Sequence, residues 1–112
     1  MPQAHHDGSE LYVSNRAPQL GEKVTLRIRV PKIDPAREIF VRILQDGEPV
    51  TYPLRKNKST RIENWFQVSV EIISPITNYR FLLRHGKNFR WLNAAGIFSR
   101  DVVDHFDFKI TA

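Results

Sequence analysis

The stretch 64–96, NWFQVSVEIISPITNYRFLLRHGKNFRWLNAAG, constrains the fold more than any other part of the chain. Gly86-Lys87 lies between two runs rich in aromatic and branched residues, and a glycine there supplies the positive φ that a tight hairpin turn needs. A two-residue loop fixes the register. His85 then faces Asn88, Arg84 faces Phe89, Leu83 faces Arg90, Leu82 faces Trp91 and Phe81 faces Leu92. Side chains alternate along a strand, so Tyr79, Phe81, Leu83, Leu92 and Ala94 share one face, the expected core. Arg80, Leu82, Arg84, Phe89, Trp91 and Asn93 share the other. That second face is aromatic and edged by guanidinium groups, which points to a partner.

The same alternation runs through the rest of the chain. Over 22–30, Val24, Leu26, Ile28 and Val30 point one way and Thr25, Arg27 and Arg29 the other. Residues 38–45 are apolar on both faces and read as a central strand. Asp46-Gly47 is a hairpin turn, and Pro49 and Pro53 mark 49–55 as an edge strand. Phe66, Val68, Val70 and Ile72 give a further core face, while Trp65, Gln67, Ser69 and Glu71 face away. Short strands are expected at 10–14 and 107–110, one helical turn near 34–37, a loose lead-in over 1–8 and a loop after Gly96. No amphipathic helix of useful length occurs. Seven to eight short strands at this spacing predict an all-β, antiparallel β-sandwich.

Length and composition bound the rest. A chain of 112 residues reads as one domain, and 41% apolar with 26% charged residues is ordinary globular material. No apolar run approaches the ~18 residues of a membrane span, and MPQAHHDGSE has no apolar core of a secretory signal. Cysteine is absent, which removes disulfides, thiolate metal sites and thiol catalysis, and fits an expected cytoplasmic location. The net charge of +5 gathers bases only once, at Arg55, Lys56, Lys58 and Arg61. This run is read as a solvated loop or strand end, with a phosphate-binding surface as the alternative.

Motifs for chemistry are missing: no phosphate-binding glycine loop, no nucleophile elbow, no paired-histidine zinc motif. His5-His6-Asp7 are metal-ligand types, but neighbours on an extended chain point to opposite sides, so no site is expected there. Asp101, Asp104 and Asp107 lack the glycine and terminal Glu of a calcium loop and are read as solvated acids, with Asp107 at a strand edge and His105 on the surface. No cofactor and no metal are expected.

Taken in order, HHDGSELYVS, VTLRIRV, the DGEPV turn, NWFQVSVEI, NYRFLLRHGKNFRWLNAAGI and DVVDHFDFKI resemble the N-terminal module of neopullulanase, cyclomaltodextrinase and maltogenic-amylase type enzymes. That module is carbohydrate-binding module family 34, found before the catalytic barrel of α-glucan hydrolases of glycoside hydrolase family 13. The resemblance covers nearly the whole chain. It implies an immunoglobulin-like sandwich that binds α-glucans or supports dimerisation beside the partner's active site. Where related glycogen-binding modules carry Phe-Asn-x-x-Trp, this chain has Asp46-Gly47-Glu48-Pro49. The catalytic acids belong to the barrel, which alone takes ~250 residues. The chain is thus expected to be a non-catalytic domain, residues 1–112, of a larger α-amylase-type hydrolase. Its expected partners are its own barrel, a second subunit and an α-glucan, with neither nucleic acid nor a membrane. The rival readings are a basic β-sandwich binding nucleic acid or a protein, and a pure spacer. Trp91, Phe89, Arg80, Arg84 and Asn93 are the candidate ligand- or interface-binding residues. Trp91 is read as an interdomain or intersubunit contact, a sugar platform or a cover for Leu82, and Trp65 as a cover within its own domain.

Overall fold

The hairpin forms in the expected register. In the computed structural model, which describes residues 3–100 and 104–112, β6 (Ile76–His85) and β7 (Asn88–Asn93) pair from His85↔Asn88 to Phe81↔Leu92. Gly86 has φ 58°, as a glycine in the first central position of a two-residue turn requires. The Asp46-Gly47 turn has positive φ at both residues, 52° and 80°. It joins β2 (Glu38–Gln45) to β3 (Glu48–Pro53).

The nine described strands form two antiparallel sheets facing one another across the core. The larger runs β3-β2-β6-β7-β8, with β8 at Gly96–Phe98, and β9 (Phe108–Thr111) pairs with the first half of β6 on the side that β7 takes further on. The smaller runs β1-β5-β4, from Lys23–Pro31, Glu63–Glu71 and Arg55–Ser59. The chain changes sheets at Leu54, which is buried between β3 and β4. Val24, Leu26, Ile28 and Val70 from one sheet meet Ile39, Val41, Ile43, Tyr79, Phe81, Leu83 and Leu92 from the other, all buried. Phe66 and Val68 are half-buried against this core.

Several expectations need correction. Residues 10–14 form a turn with one bridge, Val13↔Leu26, rather than a strand. The helical turn near 34–37 does not form. Gly96–Phe98 is a strand, β8, paired with β7 as Trp91↔Phe98 and Leu92↔Ile97. Ala94 lies past the end of β7 and is exposed. The lead-in is not loose over its described part. His5 exchanges two backbone hydrogen bonds with Arg29, of 2.8 and 3.0 Å, so the segment covers the free edge of β1. Ala4 and His6 are buried between the sheets.

Candidate functional site

Register carries one parity of side chains to the outer face of the large sheet. Pro53 pairs with Phe40, Phe40 with Leu82, Leu82 with Trp91, and Trp91 with Phe98. Five strands thus contribute one transverse apolar row. Pro53 is exposed and the other four are half-buried, and none belongs to the core or packs against it. A row of this kind on an outer face is the informative exception to polar-out alternation.

Charged groups flank the row on both sides. On one side the Arg84 guanidinium donates to Glu38, with Nη2 2.9 Å from each carboxylate oxygen, and lies 5.0 Å from the centre of the Phe40 ring. On the other side Arg42 pairs in register with Arg80, whose guanidinium lies 5.4 Å from the centre of the Trp91 indole. Phe89 sets its ring at 77° to Trp91 with centroids 6.3 Å apart, and is 42% exposed. The Trp91 Nε1 is enclosed and finds no acceptor among the described residues. The indole therefore offers carbon surface, not a donor, to anything that approaches.

The five candidate residues divide into an open group and an enclosed group. Phe89, Trp91 and Arg84 remain accessible. Arg80 and Asn93 are buried, each at 2% exposure. Arg80 Nε donates to Asp107 Oδ1 at 2.7 Å, and Asn93 Oδ1 accepts the Ala95 N–H at 2.8 Å to hold the β7–β8 turn. The chain returns over this end through a single 3-10 turn, Asp104–Phe106, where the Phe106 carbonyl accepts the Ala94 N–H. Asp107 is accordingly a buried ion-pair partner, not a solvated acid or a strand-edge residue. His105 is exposed, as expected. Asp101 and the side chain of Asp104 lie outside the described residues.

His6 is the functional-type residue that sequence reasoning placed wrongly. Its Nδ1–H donates to the Arg27 carbonyl at 2.6 Å, and its Nε2 accepts the Tyr79 hydroxyl at 2.8 Å. Tyr12, Tyr79, Phe81 and Phe108 surround the ring. Burial disfavours the imidazolium and holds the pKa down at about 4, against a smaller opposing effect of the Arg27 carbonyl. Burial also raises the pKa of Tyr79, which stays a hydroxyl donor. His5 points outward to Asp7 instead, and among the described residues no three metal-ligating side chains gather.

The basic run lies on β4. Arg55, Lys56 and Lys58 are exposed along an edge strand, and a bulge between Lys56 and Lys58 shifts the register against β5. Arg61 lies in the exposed turn that follows.

No family model matches the sequence, and neither does any curated protein. Solved structures do match. A cyclomaltodextrinase superimposes over 97% of this chain with a TM-score of 0.81. The two share a fold. Sequence identity is 18%, and the chain spans only 19% of that cyclomaltodextrinase. The solution structure of the carbohydrate binding module of the muscle glycogen-targeting subunit of Protein Phosphatase-1 matches 82% of this chain and 77% of its own, at 14% identity and a TM-score of 0.55. At such identities the likeness is one of architecture.

Proposed function

We propose that the chain is a non-catalytic module of an α-glucan-acting enzyme of the amylase type, seated against a second folded unit by the outer face of its large sheet. The second unit is the catalytic barrel or a second subunit. The transverse row Pro53, Phe40, Leu82, Trp91 and Phe98 carries this reading, because the core formed by the described residues does not use it. Aromatic residues with arginine at the margin are the composition of protein interfaces. Phe89, Trp91 and Arg84 make the contact. Arg80 and Asn93 hold Trp91 and the following turn from within. The fold shared with a cyclomaltodextrinase and with a carbohydrate binding module supports the α-glucan context.

A second reading has its own observation. Phe89 is exposed and set edge-on to Trp91, so the pair can receive the C–H face of a glucose ring. Trp65→Phe leaves Trp91 as the only tryptophan and separates the two. In the isolated chain iodide is expected to quench Trp91, and in the longer polypeptide that carries the module Trp91 is expected to be shielded. Equal quenching in both overturns the contact. Saturable protection by maltoheptaose in the isolated chain favours the sugar platform.

A further inference from the structure

The opposite face of the sandwich carries a second aromatic platform. Trp65, on β5, points out of the small sheet between Arg29 of β1 and Lys58 of β4 in register. Its indole stacks on the Tyr12 ring, with centroids 5.5 Å apart and planes 20° apart. Tyr12 is itself buried and fixed by the ring edges of His5 and His6, at 5.1 and 5.6 Å. The platform is therefore rigid before any ligand arrives, which lowers the cost of binding. Beside it opens a cleft of about 240 Å³, lined by Leu11, Arg27, Asn57, Lys58 and Trp65. Leu11 is 58% exposed at its rim.

We propose that this cleft is a pyranose-binding subsite, with Trp65 as the stacking surface and Asn57, Lys58 and Arg27 reaching the ring hydroxyls. A sugar ring has an apolar C–H face and a rim of hydroxyls, and the cleft offers carbon surface surrounded by amide, ammonium and guanidinium groups. Its volume falls below the roughly 300 Å³ at which drug-sized pockets begin, in keeping with one small ring. Of the cations near Trp65, Arg27 and Arg29 are already engaged within the protein: Arg27 Nε donates to Gln67 at 3.2 Å, and Arg29 lies 3.5 Å from Glu63. The subsite lies on the sheet opposite Trp91, so it stays open when the large sheet is covered. The choice of an α-glucan as the sugar rests on the reading of the chain as a module of an α-glucan-acting enzyme.

The test is a fluorescence titration of the Trp91→Phe chain, in which Trp65 is the sole tryptophan, with maltoheptaose up to ~10 mM, the millimolar range expected for one stacked ring. A saturable change is expected. Asn57→Ala with Lys58→Ala, both exposed positions, should weaken it by about tenfold, as loss of one or two hydrogen bonds does. Trp65→Leu should abolish binding measured by calorimetry, with melting cooperativity confirming that it folds. No change in the Trp91→Phe chain overturns the subsite. If sugar is then sensed by Trp91 in the Trp65→Phe chain, the carbohydrate reading survives without it. Unchanged binding in the Asn57/Lys58 variant also overturns it. So does tighter, salt-sensitive quenching of Trp65 by an oligothymidylate, which identifies the basic strand as a nucleic-acid surface.

Discussion

Replacing His6 with glutamine should remove a specific part of the acid sensitivity of the fold. The buried imidazole is neutral in the folded state, where its pKa is about 4 rather than the ordinary 6.5. The folded pKa is depressed, so His6 costs nothing above the unfolded value. As pH falls below 6.5 the unfolded chain takes up a proton that the folded chain refuses, and stability drops until the folded pKa is passed. The fall from 6.5 to about 4 corresponds, at about 1.4 kcal/mol for each pH unit, to roughly 3–4 kcal/mol in the limit, and to the lower end of that range at about pH 4, where the folded imidazole is half protonated. Glutamine can still donate to the Arg27 carbonyl and accept from the Tyr79 hydroxyl, but it does not titrate. The assay is urea unfolding of both proteins between about pH 7.5 and about pH 4, read as the difference between their stabilities. All other side chains are common to both proteins, so the difference isolates position 6. The wild-type chain should lose roughly 3 kcal/mol more than His6→Gln across this window. Parallel loss of stability in the two proteins would refute the buried neutral imidazole.

Other outcomes follow from the core, the buried ion pair and the proposed non-catalytic role. Phe81→Ala, at a fully buried position, should cost ~3–5 kcal/mol in urea unfolding, and an unchanged midpoint would contradict its core placement. Asp107→Ala leaves the buried Arg80 without the carboxylate 2.7 Å away and should cost ~3–5 kcal/mol. Adding Arg80→Met to it should restore part of that loss, and no recovery would argue against the pair as the cause. The purified chain should release no reducing sugar from pullulan, cyclodextrin or starch, and contaminant-free release would overturn the non-catalytic reading.

The hairpin register was legible because a glycine at the turn and unbroken alternation on both sides leave few alternatives. The same holds for Asp46-Gly47 and for the buried series Val24, Leu26, Ile28 and Val30. Parity placed Trp91, Phe89 and Arg84 on an outer face, and it placed Trp65 away from the core. It could not show that Arg80 is enclosed. That depends on Asp107, brought over the sheet by a segment with no periodicity of its own. His6 was misplaced for a related reason. A histidine beside polar residues carries no local sign of burial, and its partner Tyr79 is 73 residues away. The basic run on β4 reads in the sequence as a solvated loop or strand end, because all five residues of the strand are exposed and its bulge breaks the alternation. The Tyr12–Trp65 stack joins a turn to a strand, and no spacing rule brings the two together.

Hydroxyl-radical footprinting of the isolated chain against the longer polypeptide that the proposed module reading requires tests the contact face most directly. Oxidation of Phe40, Leu82, Trp91 and Phe98 should fall in the longer polypeptide, while Leu11 and Trp65 on the other sheet keep their reactivity. Equal oxidation of the large-sheet row in both, or protection at Leu11 and Trp65 instead, would contradict it.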